Sequence, residues 1–457
     1  MPRAPRPEAR RRPARRVGSA LVASALACAL LAGPAAAQED GGGCLTTDPP
    51  PPTAPPGELR FGITPLLAGS AGVSQIEPEP EDVDAAQAAL DELRPPKREL
   101  VLRLNRLFMA DGREGIRRYA RIVDRYARAG FRTELQVRYH PPPELEGDMR
   151  AWKQYVRTAV RVLGRRPSVT ALSITNEANF SVSPNTSDGS YEGVRRAVVE
   201  GTVAADRERR RIGRRDIELG FSFAWRWAPS SDRSFWEEIG QRATPEFRRA
   251  LDYVGLQVYP GLVWPPAPIP GRSAGDEIAE ALTLLRDCYM PKAGLGREVD
   301  VWVSENGYAT NLGRSTSSQQ ADLASTLEAV HAYSGELGIT DYRYFNLRDN
   351  RSAGTDLFDA VGVLTDDYET KPAFGTLRDG IAAHGSPAEE VRSCLGRPAT
   401  LIGTPGDDRL EGGPGADVLR GRGGSDRIIG AGGNDRLCGG PGDDRISPGP
   451  GRDRVND

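Results

Sequence analysis

Between residues 58 and 385 the chain alternates short runs of β-branched and aromatic apolar residues with longer stretches in which apolar positions recur every three or four residues. The first kind of run reads as buried strand, the second as amphipathic helix. Strands are predicted at Leu59–Thr64, Leu100–Asn105, Thr133–His140, Val169–Thr175, Ile217–Ala224, Tyr253–Tyr259, Val299–Glu305 and Asp341–Leu347. Helices are predicted between them, at Gly112–Ala129, Met149–Gly164, Tyr191–Arg211, Asp276–Cys288 and Ser318–Gly335. Eight such units in succession favour a closed (β/α)8 TIM barrel over an open doubly wound sheet. The lack of a glycine-rich phosphate loop after the first strand points the same way.

The pattern changes beyond the barrel. Residues 386–402 read as a linker, and from Gly403 to Asp457 a nine-residue unit repeats six times in register, from GTPGDDRLE to PGPGRDRVN. Such periodicity predicts a solenoid, here a small parallel β-roll. Its only apolar series is Leu410, Leu419, Ile428, Leu437, Ile446 and Val455, one residue in nine. That is too little to fold the segment unaided.

Within the barrel, two predicted strands end alike. Val299–Glu305 delivers Glu305 and Asn306 to its C-terminal end, and the fourth strand delivers Asn176 and Glu177. Barrel active sites are built at that end of the strands. Two carboxyl groups flanking an anomeric carbon can cleave a glycosidic bond, one protonating the leaving oxygen and the other attacking. Burial and mutual repulsion would keep Glu177 protonated while Glu305 is ionised. Asn176 is placed to hydrogen-bond the sugar 2-hydroxyl. On the third strand, period-two alternation sends Leu135, Val137 and Tyr139 outward and Gln136, Arg138 and His140 into the barrel. Trp225, Trp227 and Trp264 follow strands five and six, where their rings could stack on sugar or pack within loops.

An Asn-Glu ending strand four and a Glu ending strand seven resembles the retaining glycoside hydrolases of clan A, the 4/7 superfamily. Ser304-Glu305-Asn306-Gly307-Tyr308 is similar to the nucleophile strand of the family 1 β-glucosidases, and Tyr344-Phe345 through Lys371-Pro372-Ala373 resembles the clan's last β/α unit. The resemblance implies Glu177 as acid/base, Glu305 as nucleophile, Tyr259 as the tyrosine that hydrogen-bonds it and Arg103 as the arginine that holds it ionised. His140 takes the place of a third-strand histidine. Asn346 stands where many clan members have a sugar-stacking Trp, a departure that bears on substrate. An oligo- or polysaccharide substrate follows, with no cofactor for the chemistry. The rival reading is a non-catalytic carbohydrate-binding or surface protein on a barrel scaffold.

The nonapeptide pattern G-G-x-G-x-D-x-U-x resembles the haemolysin-type (RTX) calcium-binding repeat. Asp408, Asp417, Asp426, Asp435, Asp444 and Asp453 recur at its sixth position, and glycine turns let backbone carbonyls complete the oxygen shell that Ca²⁺ prefers. Metal binding is then expected to supply much of the segment's folding free energy.

Composition adds the compartment. An Arg-rich start, an apolar run from Val17 to Ala32 and Ala35-Ala36-Ala37 read as a signal peptide over 1–37, followed by a Pro- and Gly-rich linker over 38–57. Secretion is therefore expected, with no membrane span once the signal is cleaved. Cys44, Cys288, Cys394 and Cys438 remain, an even number allowing three disulfide pairings. A net charge of −3 gives no reason to expect a nucleic-acid partner; a monomer is expected.

Overall fold

The computed structural model describes residues 49–65, 80–181, 186–225, 229–263, 265–387, 393–395, 397–403, 407–422, 424–440 and 442–456. The predicted signal peptide, Cys44, Trp227 and Trp264 lie outside these residues.

Strands β1 (Arg60–Ile63), β2 (Val101–Phe108), β3 (Arg132–Arg138), β4 (Val169–Ile174), β5 (Glu218–Ala224), β6 (Tyr253–Gln257), β7 (Asp300–Asn306) and β8 (Ile339–Tyr344) pair in chain order, all parallel. The barrel closes where Arg60↔Asp341 through Ile63↔Tyr344 join β1 to β8. Helices α1 (Val83–Leu93), α2 (Gly112–Arg128), α3 (Met149–Leu163), α4 (Val194–Arg211), α5 (Pro229–Arg242), α6 (Pro245–Ala250), α7 (Ala274–Leu284), α8 (Thr316–Ala332), α9 (Ser334–Leu337) and α10 (Pro372–His384) belong to the outer layer. No helix of the described residues is long and apolar enough to cross a membrane.

The barrel interior is unusually charged. Arg60 Nη1 meets Glu218 at 2.5 Å, Arg60 Nη2 meets Asp341 at 2.7 Å, and Asp341 meets Arg343 Nη2 at 2.6 Å. Arg343 Nε then reaches Glu134 at 2.9 Å, and Glu134 lies 3.6 Å from Arg103 Nε. Buried charges persist only when paired, and here each has an opposite charge beside it. Room for them comes from small residues: a Cβ on Gly62 would sit 2.5 Å from Arg343 Cδ, and one on Gly220 would enter the Tyr253 ring. Tyr253 stacks on Trp302 at 3.5 Å, with Arg60 and Arg343 over the Trp302 ring.

Both predicted linkers are structured over their described residues. Residues 49–57 lie along α8 and α9: Tyr333 OH donates to Pro50 O at 3.0 Å, the Thr53 and Ala54 amides donate to Glu336, and the Gly57 amide donates to Ser334 Oγ. The proline segment has no hydrophobic period of its own and takes its order from these partners. In the second linker, β9 (Ser393–Cys394) and β10 (Arg397–Pro398) form a hairpin.

The roll follows, in two parallel sheets: β11 (Leu401–Ile402), β13 (Val418–Arg420), β15 (Arg436–Cys438) and β17 (Arg454–Asn456) in one, and β12 (Arg409–Glu411), β14 (Arg427–Ile429) and β16 (Arg445–Ser447) in the other. Leu419, Ile428 and Leu437 are buried between them, with Leu410 and Ile446 packed alongside. The roll begins one strand earlier than the repeat suggests, because Leu401 pairs with Leu419, although at this end of the stack Leu401 is exposed and its unit lacks the repeat's aspartate. Terminal units of repeat arrays are commonly atypical in this way. Cys394 and Cys438 form a disulfide, Cys288 is also disulfide-bonded, and Arg422 pairs with Glu58 at 3.0 Å, just before β1.

Candidate active site and calcium repeats

Glu305, near the end of β7, is 7 % exposed and held from two sides. Arg103 Nη1 lies 2.5 Å from one carboxylate oxygen, and the Tyr259 hydroxyl donates to the other at 2.8 Å. Burial works against the Arg103 charge, but Glu305 and Glu134 outweigh it and raise its pKa. Tyr259 is pushed well above the usual phenol range, by burial first and then by the Glu305 charge, so it stays a donor.

Glu177 has the opposite surroundings. It is buried just beyond β4, its backbone amide donates to Ser222 Oγ at 3.0 Å, and its Oε2 has no hydrogen-bond partner. Burial, and next the negative charge of Glu305, raise its pKa well above the carboxylate range, with Arg138 and Arg103 opposing. The Glu305 charge thus acts on Glu177, and together with burial it favours the protonated form of Glu177. The chain reaches Glu177 through strain: Thr175 and Glu177 have φ of 72° and 44°. A β-branched residue there is an outlier, and such outliers cluster at functional positions.

Asn176, which precedes Glu177, is clamped by side chains from β3 and β6. Its Oδ1 accepts from Gln136 at 2.7 Å and Gln257 at 2.6 Å, and its Nδ2 donates to Thr186 O at 2.7 Å. One Nδ2 proton remains for a ligand. Asp188 accepts from the Asn176 amide at 2.9 Å and from Arg138 Nε at 2.7 Å, fixing the β4 loop.

The other predicted site residues differ in position. Gln136 points inward as expected, whereas Arg138 is spent on Asp188. His140 lies past the end of β3, its ring 4.8 Å from Phe108 and 5.4 Å from Tyr191. Trp225 is 6 % exposed and packs against Tyr289, which favours loop packing over sugar stacking. Asn346, joined to Phe345 by a cis peptide, is fully buried with both amide atoms lacking a hydrogen-bond partner. Beside Tyr259, Phe345 and half-buried Phe358 set an apolar wall, each ring edge-on to the tyrosine.

In the roll, four of the six repeat aspartates use one carboxylate oxygen to bind the turn two units earlier: the Asp408, Asp417, Asp426 and Asp435 amides donate to Asp426, Asp435, Asp444 and Asp453 at 2.8–2.9 Å. The other oxygen of Asp426, Asp435 and Asp444 is buried without a partner. It faces the first glycine of the repeat so closely that a Cβ on Gly421 or Gly439 would collide with it. Orphaned carboxylate oxygens in a glycine cradle suit a hard cation. Among the described residues no three His, Cys, Asp or Glu side chains cluster as a metal site, so carbonyl oxygens would have to supply much of the shell. Residues 402–437 and 420–455 match the RTX calcium-binding nonapeptide repeat. The tail is an RTX array.

Upstream of the RTX tail, the fold is that of known glycoside hydrolase structures. A GH5_18 structure from Streptomyces cattleya with GlcNAc is 15% identical over 79% of this chain and 86% of that one, with a TM-score of 0.51. GH5_18 from Bifidobacterium longum gives 14% identity, 78% and 83% coverage and a TM-score of 0.50. A Thermotoga maritima β-glucosidase in complex with noeuromycin gives 14%, 65% and 85%, and 0.47. At such identities the likeness is one of fold. Comparison by sequence with curated proteins finds no match.

Proposed function

We propose that the chain is a secreted retaining glycoside hydrolase in which Glu305 is the nucleophile and Glu177 the acid/base. What carries this reading is the contrast between the two buried carboxyl groups: Glu305 is gripped by Arg103 and Tyr259, and Glu177 is left with a free, neutral-favouring oxygen.

In the first step Glu305 attacks the anomeric carbon as the bond to the leaving oxygen breaks, and that oxygen takes the Glu177 proton. Glu305, now esterified, no longer carries the charge that held the Glu177 proton, so the Glu177 pKa falls. Glu177 then removes a proton from water as its oxygen attacks the anomeric carbon, Glu305 leaves as carboxylate, and both groups return to their starting state. Asn176 would hold the sugar 2-hydroxyl with its remaining Nδ2 proton. Calcium in the RTX tail serves structure and takes no part in these steps. The predicted signal peptide and the calcium-dependent tail both suit an extracytoplasmic setting.

A 2-fluoro aryl glycoside should label Glu305, identified by peptide mass spectrometry, once a panel of aryl glycosides has found the preferred sugar. Hydrolysis undiminished in Glu305→Ala would overturn the assignment and favour a non-catalytic sugar-binding barrel.

A further inference from the structure

Each RTX repeat places the residues on either side of its inward apolar position on the outer surface of the roll. On β12, β14 and β16 the first of these is Arg409, Arg427 and Arg445, and the register sets them side by side, Arg409↔Arg427 and Arg427↔Arg445. Neighbouring strands lie about 4.8 Å apart, so three guanidinium groups form a straight row. All three side chains are exposed. Arg409 meets Glu411 at 3.1 Å at one end of the row, while no described residue hydrogen-bonds or pairs with the side chains of Arg427 and Arg445.

Like charges directly opposite on adjacent strands weaken a sheet, so this row is poised for an external anion. The surrounding charge points the same way. Of the nine acidic residues described between 403 and 456, six are the repeat aspartates committed to the glycine turns. That leaves Asp407, Glu411 and Asp443 against eight arginines. Calcium in the turns would neutralise the repeat aspartates and leave the arginines less opposed. Residues 403–457 contain no Phe, Tyr, Trp or His, so neither a neutral sugar nor a nucleic-acid base can be held by ring stacking. Charge is the only strong handle.

We propose that the outer face of β12, β14 and β16, when the repeats hold calcium, binds an extended anionic polysaccharide with a carboxylate on each sugar residue. The guanidinium fork matches a carboxylate in two hydrogen bonds, and a straight row of rungs presents one fork per sugar along an extended chain. The face has little else to offer a membrane: Ile429 is its only apolar side chain between the rungs, too little to enter a bilayer interface. The inference is independent of any hydrolytic activity in the barrel.

The test is titration of the calcium-loaded full chain with polygalacturonate, against neutral dextran, duplex DNA and anionic phosphatidylserine vesicles. Polygalacturonate should bind, dextran should not, and chelation of calcium should abolish binding. Arg427→Glu combined with Arg445→Glu should lower affinity at least tenfold while the calcium-induced circular dichroism change persists. If that variant loses the calcium response, Arg427→Gln with Arg445→Gln replaces it, with the same direction expected. Affinity unchanged in the folded variant, equal binding of dextran, or tighter binding of DNA or vesicles than of polygalacturonate would each overturn the proposal.

Discussion

The barrel and the roll both bury carboxylates, but they balance them differently. In the barrel four carboxylates of the inner wall pair with arginines of the same chain, in an alternating line running Glu218, Arg60, Asp341, Arg343, Glu134, Arg103, Glu305. In the roll the buried oxygens of Asp426, Asp435 and Asp444 have no such partner and face glycine. One part closes its electrostatics within the chain, and the other leaves it open to the medium. The barrel should therefore fold wherever the chain is released, while the roll should read the calcium around it.

Chelation gives the largest separation between the two. With calcium removed, the roll should lose its circular dichroism signal, while the barrel keeps its thermal transition and its hydrolysis of aryl glycosides. A ligand at a thousandfold excess over its Kd adds about 4 kcal/mol per site, and the roll has little else. A single transition shifting as a whole would break the comparison.

Glu177→Gln should cost roughly 10²–10⁴-fold in kcat/KM on glycosides with poor leaving groups. The wild type should lose activity as pH rises through the raised Glu177 pKa, because only the protonated form can serve the leaving oxygen. The variant's profile should lack that alkaline limb.

Glu134→Leu strands Arg103 and Arg343 without their shared partner. It should remove about 3–5 kcal/mol from the barrel transition in urea and leave the roll's calcium titration in place. Cys394→Ser should act in the opposite region: opening a cross-link that spans 44 residues should destabilise the roll by up to about 4 kcal/mol and raise the calcium concentration needed to fold it. A shift in the barrel transition there would show the two parts to be coupled.

The eight strands were legible as short runs rich in β-branched and aromatic residues, despite the charges on their inner faces, and their observed spans depart from the expected ones by a few residues. Strand β2 runs on to Phe108, past its predicted end at Asn105, through an irregularity between Leu104 and Leu107. Glu177 and Glu305 stood out by their places at strand ends, whereas Arg103 and Tyr259 were expected only from the family resemblance. Glu134 was not singled out, although it shares the inward alternation of Gln136. Asp188 and Ser222, which fix the β4 loop, had no local signature, because their role depends on contacts with residues far along the chain. His140 shows the limit of period-two reasoning, which stops where the strand does, since β3 ends at Arg138.

The ion pair between Arg422 and Glu58 joins the roll to the chain just before β1, at the foot of the barrel, and the carboxyl pair opens at the opposite end of the strands. A chain moored through its tail would thus hold its mouth outward. Were the tail to bind a polymer as proposed, the carboxyl pair would face away from it, so that anchorage and the barrel mouth would be separated by the length of the barrel.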